Sequence, residues 1–200
     1  MENREALRFG NRDNNNVCMM INIYWGTEIV DKMLAVLREK NVKTTFFIVG
    51  EWGADNHEML RKIVAEGHEL GNHGYHHKDH DTLTYQENQE EILLCHNLIK
   101  DVTGIEMTLF APPSGAYDDI TLKAAEDLGY LPIMWTKYKD TIDWRDKEEQ
   151  LAFDRATQNI LGGDLILMHP MEHTLAALPK IIDFYRSVNI NPTTVSETVK

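Results

Sequence analysis

Along most of the chain, short apolar runs alternate with segments in which apolar residues recur every three or four positions. "VCMMINI" (Val17 to Ile23) is a continuous apolar run, the pattern of a strand buried on both faces. "TEIVDKMLAVLREK" follows, with Ile29, Met33 and Leu37 at four-residue spacing, a helical stripe for which Thr27 is the expected N-cap. "KTTFFIVG" reads as the next strand, ended by Gly50. "NHEMLRKIVAEG" reads as a helix with Met59, Leu60, Ile63 and Val64 inward and Gly67 at its stop. "HELGNH" is a short strand. A long helix is predicted from Tyr85 to Val102, with Ile92, Cys95, Ile99 and Val102 on one face. Then come a strand before "APPSG", a helix around "DDITLKAAEDLG", a strand "YLPIMW", a helix "KEEQLAFDRATQNI" and a strand "DLILMH". A helix "LAALPKIIDFYR" and a last strand "NPTTVSETV" complete the series.

This gives six or seven β/α units in one domain, residues 17–200, after a polar, Asn-rich N-terminal extension, residues 1–16. Repeated units of this kind favour a parallel sheet, open or closed into a barrel. In a barrel, active residues lie at the C-terminal ends of strands. Asn22, His73, Ala111 with the following proline pair, Asp140 and His169 all fall at such ends.

The 200 residues suit one domain with a sizeable core. A net charge of -12 argues against a nucleic-acid partner and accommodates a neutral or cationic one. With 42% hydrophobic residues and a mean hydropathy of -0.40, the composition is that of a soluble globular protein, expected as a monomer. No apolar run approaches the ~20 residues that span a bilayer. The start, "MENREALRFGNRDNNN", has no apolar segment of a secretion signal. A cytoplasmic location and an exported one with its leader outside this chain both remain open. Cys18 and Cys95 lie in apolar patterns and read as buried thiols rather than a disulfide.

The stretch "GNHGYHHKDH" packs four of the nine histidines into ten residues. Taken alone it is a metal site, a general-base cluster or a polar loop. Its neighbours narrow the choice. "NVKTTFFIVGEW", "EGHELGNHGYHH", "LFAPPSGAY", "MWTKYKDTIDW" and "LILMHP" together resemble, in order and spacing, the motifs of the polysaccharide deacetylases (the NodB homology domain, carbohydrate esterase family 4). The resemblance runs from Val17 to the end. It implies a distorted (β/α) barrel and metal-dependent hydrolysis of acetyl groups from glycans such as peptidoglycan, chitin or xylan. In the family one Asp and two His hold a divalent metal, usually zinc, that activates a water. A second Asp is the base, and a His protonates the leaving amine.

Carried over residue by residue, His73 and His77 match the metal histidines and His169 the general acid, with Leu167 as the apolar wall beside it. Asp143 and Trp144 match the fourth motif, though two extra residues separate it from Trp135. Trp144, Leu167 and Tyr117 are the expected substrate contacts. Trp135 and Trp144 suit a sugar face or simple packing. The first motif departs from the family's Thr-Phe-Asp-Asp-Gly. Aligned without a gap, Asn22 takes the base position and Ile23 the metal Asp; aligned on Gly26, Tyr24 and Trp25 take them. Either way both carboxylates are lost, and Ala111 replaces the family's orienting Arg. The wording resembles a sporulation-associated branch with a degenerate first motif. A third metal ligand would have to come from His80, Asp79, Asp81 or Glu28. His76 is expected outside the site, and Glu87 to Glu91 on a solvated helix face.

Three functions follow from this reading. The leading one is metal-dependent deacetylation of an envelope glycan, with activity in doubt because Asn22 cannot act as the base. The alternative is a catalytically inactive glycan-binding or scaffolding homologue. A small-molecule amidohydrolase is the third.

Overall fold

The computed structural model describes residues 4–200. Seven strands alternate with helices. In chain order they are β1 (Asn16–Ile23), α1 (Thr27–Glu39), β2 (Thr45–Ile48), α2 (Gly50–Asp55), α3 (His57–Ala65), β3 (Glu69–Asn72) and α4 (Tyr85–Thr103). Then follow β4 (Leu109–Phe110), α5 (Asp119–Asp127), β5 (Leu131–Pro132), α6 (Glu149–Thr157), β6 (Leu165–Met168), α7 (Glu172–Ser187), β7 (Asn191–Pro192) and α8 (Val195–Val199). All pairings between named strands are parallel, in the order β5-β4-β3-β2-β1-β6, with β7 on the start of β1.

The gap between β5 and β6 is closed by irregular chain. The Leu7 amide donates to the Pro132 carbonyl, and Met134 N–H donates back to Leu7. Thr136 N–H donates to Leu165, while Thr141 N–H donates to Leu167, whose own N–H donates to Lys139. The sheet thus bends into a distorted (β/α) barrel. Residues 6–10 of the polar start lie against this seam, with Ala6 buried.

Alternation along β1 explains its continuous apolar run. Val17, Met19, Ile21 and Ile23 face the surrounding helices, in one cluster with Val30, Met33 and Leu34 of α1. Cys18 and Met20 face the barrel interior with Phe47, Leu109, Ala111 and Leu165. Asn22 continues the inward register and so reaches the barrel mouth. Both cysteines are free and buried.

Helix boundaries follow local chemistry. Thr84 and Glu87 form a reciprocal capping box at the start of α4, and Gly104 ends it in the left-handed conformation. Two expectations need correction. Thr27 is the first residue of α1, not its cap. Gly26 occupies the cap at φ 82, and its hydroxyl-bearing neighbour Thr27 instead donates to Asn56 Oδ1 and accepts from Trp52 Nε1. A Cβ at position 26 would also lie 2.9 Å from the Pro170 carbonyl oxygen, so only glycine fits. The last strand shrinks to Asn191–Pro192. "VSETV" is helical because Thr194 caps it through the Glu197 N–H, the Thr-x-x-Glu signature of a helix start.

Candidate functional site

The ends of β1, β3 and β6 and the loops after β4 and β5 surround one groove of about 430 Å³. Asn22, His73, His77, Asp140, Leu167 and His169 line it, with Tyr24, Trp25, Trp135 and Trp144 as its aromatic walls.

His73 follows β3 directly and is buried. Its Nδ1 lies 2.7 Å from the Ala111 carbonyl oxygen, which can only accept, so Nδ1 carries the proton. Nε2 therefore presents its lone pair, and Asn22 Nδ2 lies 3.3 Å away as the donor. Burial, reinforced by the nearby His77, lowers the His73 pKa to about 3, so the ring is neutral at physiological pH. With Nδ2 directed at His73, Asn22 Oδ1 is left buried without a donor. Such an orphan acceptor costs about 1–3 kcal/mol.

His77 sits at φ 55, its ring 5.1 Å from that of His73. Tyr24 lies flat on it, with ring centroids 4.8 Å apart and planes 9° from parallel. Burial lowers the His77 pKa as well. Trp25 stacks in the same way on His169, at 5.9 Å and 7°. The residues aligned on Gly26 are thus the ones that cover the histidines, while Ile23 points into the helix layer.

His169 is held by a buried carboxylate. Its Nδ1 is 2.7 Å from Asp143 Oδ1, and its backbone N–H and the Thr174 hydroxyl both donate to Oδ2. Burial alone would raise the Asp143 pKa. The donors from His169 and Thr174 outweigh it and hold the carboxyl below its usual value. This pair leaves Nε2 of His169 for the groove.

The remaining expectations divide. Leu167 and Trp144 line the groove. Tyr117 does not: its hydroxyl accepts from Arg8, and its ring packs on Ala6, Leu122 and Met134. His76 lies outside, bonded to Glu91. His80 bonds Asn88 through Nδ1. Glu91 corrects the reading of a solvated acidic face. It is 3% exposed and accepts from the backbone of Tyr75 and His76, from His76 Nδ1 and from Lys78 Nζ. Burial raises its pKa, yet these donors bring it down to about 2. Glu91 braces the turn that presents His73 and His77. Its sequence signal was its place on the stripe Asn88, Ile92, Cys95, Ile99.

A catalytic zinc needs three protein ligands. Among the described residues, no group of three His, Cys, Asp or Glu side chains is arranged to hold a metal. The His73 lone pair is engaged by Asn22, and Tyr24 covers His77. These residues do not fit the family's metal.

The family assignment itself is firm. The polysaccharide deacetylase family model matches residues 10–133, and the chain belongs to that family. The uncharacterized protein YlxY of Bacillus subtilis is 36% identical over 178 residues, 89% of this chain and 55% of that protein. The peptidoglycan-N-acetylmuramic acid deacetylase PdaA of the same organism is 27% identical over 173 residues, 84% of this chain and 65% of PdaA. The chain thus spans between about half and two thirds of these relatives' lengths. A structure described as a CE4 family pseudoenzyme from Bacillus anthracis superposes with a TM-score of 0.94 at 31% identity, covering 98% of this chain and 69% of that one. A mutant of that pseudoenzyme, described as having restored enzymatic activity, matches at the same TM-score and 30% identity, covering 98% of this chain and 71% of that one.

Proposed function

We propose that this chain is a non-catalytic member of the polysaccharide deacetylase family that binds an envelope glycan in its aromatic groove. The hydrogen bond from Asn22 to Nε2 of His73 carries this reading, because it uses the lone pair a metal would need. The loss of both first-motif carboxylates and of the Arg at position 111 supports it. So does the likeness to a neighbour described as a pseudoenzyme. In this reading Trp25, Trp135 and Trp144 face sugar rings, Leu167 is an apolar wall, and Asn22 and His169 are polar contacts at the groove floor.

Peptidoglycan, the polymer named for PdaA, is the first glycan to test, then a chitin-like oligomer and xylan. Binding to such a polymer places the work of the domain at the cell envelope. No helix among the described residues is long and apolar enough to cross a membrane. The test pairs two measurements on the same protein: acetate release with added Zn²⁺, and glycan binding in chelator. Binding without release supports the proposal. Acetate release above a His73→Ala control overturns it.

The intact Asp143–His169 pair favours one second reading, weak residual deacetylation with water activated by another group. General acid–base help is typically worth 10²–10⁴-fold, so loss of one partner need not abolish turnover. The same acetate assay separates the two.

A further inference from the structure

Two oxygen acceptors of the groove lining have hydrogen-bonding capacity to spare. Asn22 Oδ1 has no donor among the described residues. Asp140 Oδ1 accepts the Ile142 N–H at 2.7 Å, and its other oxygen has no partner among the described residues. The backbone at Asp140 pairs with Leu167 of β6, which holds the carboxylate in place at the groove wall. Among the described residues, no lysine or arginine lines the groove. Lys139, next in sequence, is turned away: its Nζ bonds the Gln158 carbonyl and lies near Asp164. Arg145 and Arg155 both pair with Asp146. Among the described residues that line the groove, Asp140 is the one carboxylate, and the chain as a whole is acidic at -12.

Four aromatic side chains complete the walls, and aromatic faces attract cations. Trp144 already carries the Arg145 guanidinium 5.9 Å from its ring. Burial pushes the Asp140 carboxyl above its usual range, so a cation beside it would be a favourable counterion.

We propose that the groove selects the de-N-acetylated form of an amino sugar, a glucosaminyl unit bearing an ammonium, over its acetylated form. This rests on the glycan-binding reading above. An ammonium brings three donors and a full charge to a groove rich in acceptors, whereas an acetamide brings one N–H and an acceptor of its own. The chain would then read the product of a deacetylase rather than make it.

The test is calorimetric titration of the full chain with a glucosamine hexamer and with an N-acetylglucosamine hexamer, at a pH where the amine is charged. Asp140→Asn probes the site. Asp101→Asn, an exposed charge on α4, controls for the acidic surface at large. The proposal expects the glucosamine hexamer to bind about tenfold tighter, equivalent to one added ion pair with cation–π contact. Asp140→Asn should remove most of that preference, weakening the glucosamine hexamer more than the acetylated one, while Asp101→Asn changes neither. Equal or tighter binding of the acetylated hexamer overturns the inference and leaves the glycan-binding reading intact. An equal loss in Asp101→Asn also overturns it, because the preference is then diffuse surface charge. Binding of neither oligomer, nor of peptidoglycan, removes the glycan-binding reading itself.

Discussion

The amide N–H of Asn22 points at Nε2 of His73, 3.3 Å away, where the family's enzymes need a free lone pair. Asn22 on β1 therefore occupies a metal ligand. The neighbouring side chains extend the change. Tyr24 and Trp25 stack on His77 and His169, so each surviving site histidine has gained a new partner.

Restoring the lost groups should restore chemistry. Because Tyr24 and Trp25 cover the histidines and Ile23 points into the core, the carboxylates belong at positions 24 and 25. The variant Asn22→Thr, Tyr24→Asp, Trp25→Asp, Ala111→Arg, which also frees the His73 lone pair, should release acetate from N-acetylglucosamine oligomers with Zn²⁺, about 10²-fold or more above the parent. Equal rates in parent and variant would show that the missing groups are not what limits this chain.

The aromatic walls should carry binding more than stability. Trp25 is 38% exposed and Trp144 51%. Each to Ala should weaken glycan binding about tenfold, with a stability change of roughly 1 kcal/mol or less. Unfolding in urea, run beside the titrations, checks both halves. A large loss of stability with unchanged affinity would make these residues packing alone.

Asp143 should behave as a structural anchor. It is fully buried and accepts three hydrogen bonds from His169 and Thr174. Asp143→Ala leaves those donors unpaired and should cost on the order of 3 kcal/mol in urea unfolding. A loss well under 1 kcal/mol would mean that the pair is dispensable to the fold.

Glu91 gives a pH dependence with a defined sign. Its folded pKa is about 2, below the ordinary 4.5. Its stabilisation is therefore complete above about pH 4.5 and is lost as the pH falls toward 2. Glu91→Gln should lower Tm at pH 7, and the gap to the parent should narrow on acidification across that window. A gap independent of pH would rule out the carboxylate charge as its source.

Much of this was legible from periodicity. The alternation of apolar runs with helical stripes marked the strands and helices in order except α2 (Gly50–Asp55), which it passed over, and α8, which it read as strand, and the strand ends marked Asn22, His73, Asp140 and His169. What escaped depends on three-dimensional neighbours. Glu91 read as one of a run of exposed glutamates because a charge is seldom buried, and only the donors of the loop at 75–78 make burial tolerable. Tyr117 followed the proline pair in sequence, but its chain turns toward Arg8 and away from the groove. The two candidate registers of the first motif could be separated only by seeing which side chains meet the histidines. The helical end "VSETV" was masked by β-branched residues, although Thr194 and Glu197 carried the cap signal.

The most direct test of the account is a zinc titration by calorimetry on metal-stripped protein, with His73→Ala beside it. The account predicts no stoichiometric binding in the micromolar range for either protein, since Asn22 holds the His73 lone pair and no third ligand stands near among the described residues. Tight one-to-one binding in the parent, lost in His73→Ala, would contradict it and return the groove to metal chemistry.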